Sequence, residues 1–276
     1  MPRKNVVRFY AIVVIAAAAI GSTFCASRAE AAAPWVDRPI TLPRHDWSFD
    51  VGLGIAHRNA PDPAPQPTGV GLNLEMAVGI LQHLELGIRT GTRFGNDGRG
   101  TQADAAGRLF DRQTFATATD PWANPEARIR GSLVHERVVE LALEGRAVLP
   151  FESHTRFGAM FGMPLAFHFG HSVRLDMGIY VPVVFYDPTY TAVSLPLDVW
   201  IQATHHLWLG PMTGVRFEQF GRDREVRRTE VSLGFGLGYQ VHRVVDLKTM
   251  ALFPAINETE GARNFNVGFG VQIRIE

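Results

Sequence analysis

In several segments of this chain, charged side chains that could bind or guide a small solute occupy positions that alternate with apolar residues. Arginines and carboxylates occur together in this pattern, and a guanidinium can donate parallel hydrogen bonds to a carboxylate. Such a set either lines a polar passage or closes it with ion pairs. The candidate lumen or constriction residues are Arg89, Arg93, Arg128, Arg146, Arg174, Arg216, Lys248, Glu75, Glu85, Glu140, Glu144, Asp176, Asp198 and Asp246.

Two interpretations of this set stay open. In the first, arginines face one half of the interior and acids the other, which would draw in a small anionic solute. In the second, the same groups pair with one another and plug the interior. The first places Arg93, Arg128, Arg146 and Arg216 toward one half, and Glu85, Glu140, Glu144, Asp176 and Asp246 toward the other.

Residues with catalytic or metal-binding chemistry form no recognised motif. A hydrolase would have to use Ser153, His57 and His154 with Asp62 or Asp111. Histidines mark five short turns, but turns of neighbouring hairpins are separated by roughly 10 Å, whereas zinc ligands lie about 2 Å from one ion. We therefore predict no catalytic residue, no metal and no cofactor. The turn histidines are His83, His135, His171, His205 or His206, and His242.

The first 31 residues resemble a secretory signal peptide. Basic residues at positions 3, 4 and 8 precede an uncharged run over 9–21, which is too short for a membrane-spanning helix of roughly 20 residues. Small residues at Ala29 and Ala31 predict cleavage after Ala31. A lipoprotein anchored at Cys25 is the less favoured alternative, because Phe24 precedes that cysteine. Residues 32–44 are then predicted to form a periplasmic segment ahead of the main domain.

Charge and cysteine content exclude some classes of function. Cleavage after Ala31 removes four of 27 basic residues and one of 27 acids, which leaves a net charge of −3. That balance is too mild to predict a nucleic-acid partner. The only cysteine leaves with the signal peptide, so the mature chain has no disulfide.

Apolar residues at alternate positions predict the elements that must position the charged groups. The alternation recurs about twelve times over 45–276, and successive side chains of a strand point to opposite faces. One predicted strand near 127–135 has only Ile129 and Leu133 in support. The C-terminal example is the clearest, with Phe265, Val267, Phe269, Val271, Ile273 and Ile275 on one face.

The spacing of these strands predicts a closed, antiparallel, up-and-down transmembrane β-barrel. Short turns alternate with long polar connections such as 58–68 and 95–126, as in outer-membrane barrels. The polar face is rich in glycine, which would cover nothing on a soluble protein but leaves room inside a barrel. We therefore expect the apolar face to contact lipid. Aromatic residues near the strand ends, including Trp47 and Trp208 at the short-turn rim, are interpreted as interfacial girdles.

By this pattern, residues 45–276 resemble bacterial outer-membrane β-barrel proteins of the porin-like or transporter-like kind. The resemblance implies outer-membrane lipid and the barrel-assembly machinery as partners, and a narrow channel for small polar or anionic solutes. A sealed structural or surface-interaction barrel and an outer-membrane hydrolase are the alternatives. Many such proteins end in an aromatic residue, whereas this chain ends in Ile275 and Glu276. No role follows for the loop 95–126.

Overall fold

The structure of the protein is a computed structural model that describes residues 33–57, 68–95, 122–150, 157–185, 190–220, 226–258 and 261–276. The predicted signal peptide and its cleavage site lie outside the described residues. The strands are β1 (Trp47–His57), β2 (Thr68–Leu81), β3 (Leu84–Gly95), β4 (Trp122–His135), β5 (Val139–Val148), β6 (Gly158–Phe169), β7 (Val173–Val184), β8 (Tyr190–Gln202), β9 (Leu207–Phe220), β10 (Val226–His242), β11 (Val245–Phe253) and β12 (Phe265–Ile275). Single 3-10 turns cover Trp35–Asp37 and Gly261–Arg263.

The twelve strands form one closed barrel. Each strand pairs antiparallel with its neighbours in the chain, and β1 closes the ring against β12 with Trp47 opposite Ile275 and His57 opposite Phe265. This confirms the predicted up-and-down barrel, including the weakly supported strand that is now β4. Tight turns separate β2 from β3 and β10 from β11, and we call the rim that carries such turns the short-turn rim.

The strands extend further into the long connections than the sequence predicted. The predicted loop 95–126 loses its last residues to β4, which starts at Trp122, and the rest of that loop lies outside the described residues. The predicted connection 218–229 is mostly strand, since Val226 pairs with Phe220. These ends lack the apolar alternation because hairpins continue beyond the lipid-facing band, where both faces tolerate polar residues.

The outer face of the barrel is apolar. In β1 the side chains of Leu53 and Ile55 are exposed, while Gly52 and Gly54, which alternate with them, are buried. Large residues such as Phe161 and Phe269 are 64 % and 53 % exposed on the same outer face. Buried charged groups point inward instead, so the orientation predicted for a lipid-facing barrel is confirmed. No helix in the described part of the chain is long and apolar enough to cross a membrane.

Glycines on the inner face make room for large side chains. A Cβ atom built on Gly236 would lie 2.6 Å from the indole of Trp200, and one built on Gly238 would overlap the indole of Trp208. Trp208 is only 2 % exposed and faces the lumen. Its assignment to an aromatic girdle is therefore wrong, because Leu207 and Leu209 on either side of it occupy the outward positions of β9.

Residues 33–46, which we call the inner segment, fold into the lumen near the short-turn rim. The sequence predicted a periplasmic segment over 32–44, yet Val36 is fully buried and Leu42 is 5 % exposed inside the barrel. The segment has no strand of its own, since the prolines at 34, 39 and 43 cannot donate backbone hydrogen bonds. Inside the lumen the apolar side chains of the segment are removed from water, which favours this position over an exposed one.

Candidate functional site in the barrel lumen

An aromatic cluster anchors the start of the inner segment. The indole of Trp35 packs edge-on against Trp200 at 5.1 Å and stacks on Trp208 at 5.4 Å between ring centroids. The guanidinium of Arg174 lies 5.1 Å from the centre of the Trp35 ring, a separation typical of a cation–π contact. Three strands thus hold one side chain of the segment.

Side chains of the barrel wall satisfy the backbone of the inner segment. The N–H of Ile40 donates to Glu140 at 2.6 Å and the N–H of Leu42 donates to Glu85 at 2.9 Å. Arg130 donates to the carbonyl oxygen of Ile40 at 3.0 Å. A segment without strand partners would otherwise bury unpaired polar groups. Glu85 and Glu140, two of the predicted lumen acids, therefore bind the backbone of the inner segment.

Further contacts between the barrel wall and the inner segment lie closer to the 3-10 turn at Trp35–Asp37. Arg174 donates to the carbonyl oxygen of Arg38 at 2.5 Å, and Nδ1 of His168 is 2.7 Å from the carbonyl oxygen of Val36. The guanidinium of Arg38 forms two hydrogen bonds with the carboxylate of Asp246, one of them 3.1 Å long. Both side chains of this pair are buried. The bidentate geometry fixes the segment to β11.

The last residues of the inner segment pair with the end of β2. The N–H of His45 donates to the carbonyl oxygen of Gly79 at 2.7 Å, and the N–H of Gly79 donates to that of Asp46 at 2.9 Å. A Cβ atom on Gly79 would overlap the carbonyl of Pro43. Burial is the main cause that raises the pKa of Asp46, and the negative charge of the Glu276 carboxylate raises it further.

A network of ion pairs joins β2, β3, β4 and β5 on the inner face of the barrel. Arg128 contacts Glu75 at 2.6 Å and Glu85 at 2.5 Å. Arg146 contacts Glu144 at 2.7 Å and Glu126 at 3.4 Å. The acids therefore neutralise the arginines at close range. This is the arrangement that the ion-pair interpretation predicts for Arg128 and Arg146, whereas the ion selectivity of the lumen stays a prediction.

A polar cavity of about 160 Å³ lies in the lumen against the inner segment. Trp35 and Ile40 of the segment line one side of it, and the strands supply charged groups such as Arg174, Asp198 and Lys248. Lys248 contacts Asp50 at 3.4 Å and Gln272 at 2.8 Å. The lumen is thus narrowed by the segment and retains a charged chamber.

Comparison with solved structures shows the same architecture. The NanC porin superposes with a TM-score of 0.58 at 9 % identity, over 82 % of this chain and 100 % of that one. An outer membrane channel from Pseudomonas putida F1 gives 0.61 at 9 % identity, over 85 % and 97 %. The KdgM porin gives 0.52 at 8 % identity, over 83 % and 99 %. The fold is a porin-like barrel. No family model and no curated protein matches the sequence.

The structure of this porin-like barrel places most of the predicted site residues together. Those that line the cavity are Glu75, Glu85, Arg128, Arg174, Asp176, Asp198 and Lys248. Glu140 and Asp246 hold the inner segment, and Glu144 and Arg146 belong to the ion-pair network. Arg89 and Arg216 are 5 % and 7 % exposed on the inner face. The side chain of Arg93 lies outside the described residues.

Several lumen residues were missed at the level of sequence. Glu126 and Arg130 lie two positions from Arg128 on β4, so strict alternation of that strand would have found them. Arg274 on β12 and Trp200 on β8 also alternate correctly with apolar neighbours. Arg38 of the inner segment belongs to no periodic pattern, and only the fold reveals its place.

The alternative chemistries gain no support in the described part of the chain. Ser153, His154, Asp62 and Asp111 lie outside it, and the ring of His57 stacks on Phe265 at 5.5 Å. The rings of His83 and His135 are 5.1 Å apart, closer than the spacing expected for neighbouring turns. Among the residues described, no three potential ligands come together as a metal site.

Proposed function

We propose that the protein is a narrow porin-like channel of the bacterial outer membrane that admits small polar or anionic solutes. The observation that carries this proposal is the charged cavity of about 160 Å³ inside a barrel whose outer face is apolar. A barrel that served only as a scaffold would not need to keep charged groups around an inner chamber, because burying charge is costly. The structurally similar proteins are porins and an outer membrane channel, which supports the same function.

The inner segment sets the width of the proposed channel. In an eight-stranded barrel, side chains just fill the lumen, whereas barrels of sixteen or more strands leave an open aqueous channel. A barrel of twelve strands encloses an intermediate space. The segment then occupies the end near the short-turn rim, where Trp35 and Val36 pack against the wall. A solute would pass beside the segment or displace it. Cleavage after Ala31 would leave this segment as the free start of the mature chain.

A sealed barrel is the second candidate, because the ion pairs of Arg128 and Arg146 close part of the lumen. Contact with outer-membrane lipid and insertion by the barrel-assembly machinery are expected in either case. The described residues give no support to the hydrolase alternative.

Conductance in planar lipid bilayers separates the channel from the sealed barrel. We expect small, discrete conductance steps from the mature chain and larger steps from a variant that lacks residues 34–42. A variant with Arg137→Gln, on an exposed turn, serves as the control and should conduct like the native protein. If neither the native chain nor the deletion variant conducts, the channel proposal fails and the sealed barrel stands.

A further inference from the structure

The cavity is lined by ion pairs and by two charged residues that stand outside them. Lining residues Arg38, Arg128, Arg130, Arg174 and Lys248 each contact a carboxylate. The two lining residues outside these pairs are Asp198 on β8 and Arg274 on β12. In the part of the chain that the structure describes, Oδ1 of Asp198 and Nε of Arg274 are buried without a hydrogen-bond partner.

The position of Asp198 explains why the barrel leaves it without a cation. Asp198 lies opposite Asp176 on the neighbouring strand β7. Arg174 donates to Asp176 at 2.7 Å and at the same time to the inner segment. Asp198 is only 8 % exposed, and a buried carboxylate without a partner is costly. The arrangement provides an acceptor for a cationic group that the described residues do not supply.

Arg274 provides the opposite charge in the same cavity. It lies across from Ser48 in β1, close to the contact between Lys248 and Gln272. A guanidinium is suited to a carboxylate because its fork of donors matches the two oxygens. Asp198 and Arg274 therefore offer one site for an ammonium group and one for a carboxylate.

Aromatic rings complete the lining of the cavity. Trp35, Tyr180 and Trp200 line the cavity, and Tyr180 is seated against the glycines of β6 and β7. Aromatic faces attract an ammonium group and pack against an aliphatic body. The cavity volume of about 160 Å³ accommodates a solute of a few heavy atoms.

We propose that this cavity binds a small zwitterion of the amino-acid class, with its ammonium group at Asp198 and its carboxylate at Arg274. The inference deepens the proposed channel and rests on it for the route by which the solute reaches the cavity. It narrows the solute from any small polar or anionic molecule to one that carries both charges.

Titration calorimetry on the native protein in detergent tests the charge requirement without any substitution. The probes are L-alanine, β-alanine and γ-aminobutyrate, which carry both charges at increasing separation, and propionate and ethylammonium, which carry one each. We expect at least one zwitterion to bind about tenfold or more tightly than either single-charge probe, since each charged hydrogen bond contributes to affinity. Equal binding of all five probes, or no binding of the zwitterions, overturns the inference.

Two substitutions test the assigned ends of the solute. Asp198→Asn should weaken binding of the best zwitterion by about tenfold while leaving propionate unaffected, and Arg274→Gln should weaken it while leaving ethylammonium unaffected. Glu136→Gln and Arg137→Gln on the exposed turn after β4 are matched controls. Circular dichroism confirms that each variant retains its barrel. Unchanged zwitterion binding in both lumen variants contradicts the assignment.

Conductance and binding fail separately. If the native protein binds a zwitterion while neither it nor the variant that lacks residues 34–42 conducts, the binding site is supported and the channel is overturned. A native protein that conducts but shows no preference for a zwitterion supports the channel and overturns the binding site.

Discussion

The indole of Trp35 stacks on that of Trp208 with the two ring planes 9° apart. Trp35 belongs to the inner segment and Trp208 to the wall, so this contact joins the part of the chain that narrows the lumen to the part that forms it. Trp200 adds a second face at 5.1 Å. The segment is therefore held by apolar packing as well as by charge.

Trp35→Ala should loosen the inner segment. Truncation of a fully buried aromatic residue costs about 3–5 kcal/mol, and Trp35 is partly exposed, so we expect roughly 2 kcal/mol. Hydrogen exchange at the amides of Ile40 and Leu42 should become faster by about tenfold or more. Trp47→Ala is the matched control, since Trp47 is 39 % exposed on the outer face. Equal exchange in the two variants would show that Trp35 does not anchor the segment.

Removal of one partner of the Arg38–Asp246 pair should destabilise the protein more than removal of both. Arg38→Met leaves the carboxylate of Asp246 buried beside fewer donors, and we expect a loss of about 3 kcal/mol in the free energy of unfolding. The double variant Arg38→Met with Asp246→Leu should recover part of that loss. Urea unfolding in detergent micelles measures both. A double variant that is no more stable than the single one contradicts a charge-based explanation.

Gly79→Ala should detach the end of the inner segment from β2. The added Cβ atom would overlap the carbonyl of Pro43, which is backbone and cannot rotate away. The two backbone hydrogen bonds between Gly79 and residues 45 and 46 should lose protection in hydrogen exchange. Gly131→Ala is the control, because its Cβ atom would lie 3.5 Å from Leu84, an ordinary contact. Full protection in Gly79→Ala would mean that the segment moves without cost.

Arg146→Ala should shift ion selectivity toward cations. Arg146 contacts Glu144 and Glu126, and its removal would leave these acids with less positive charge beside them. The reversal potential under a salt gradient in planar bilayers measures the shift, with Arg137→Ala on the exposed turn as control. An unchanged reversal potential would place Arg146 outside the conducting path.

The barrel was predictable because alternation is set locally by each strand. β12 shows the principle, since its residues from Phe265 to Ile275 alternate without interruption. β4 was harder to predict, because its outward positions include Ala127 and Gly131, which carry little apolar surface. Only Ile129 and Leu133, 49 % and 62 % exposed on the outer face, supported that strand. Its register also shifts between Ser132 and Val134, a bulge that lies beyond Ala127 and Gly131.

The inner segment and the cavity were not predictable in the same way. Arg38 meets Asp246 across more than two hundred residues of sequence, and nothing near either residue indicates the other. Trp208 looked like a rim aromatic because it lies near the end of its strand, yet its partner Trp35 lies inside the lumen. Contacts of this kind depend on closure of the ring and leave no periodic trace.

The seam between β1 and β12 gives the inner segment a place in the order of assembly. The segment leads directly into β1, while β12 follows all the other described strands in the chain. Its holders Glu85, Glu140 and Asp246 lie on three separate hairpins and surround it only in the closed ring. An open, partly inserted sheet does not bring these three residues around the segment. Binding of the segment in the lumen therefore requires a closed barrel, and the onset of amide protection in the segment would report when the ring closes.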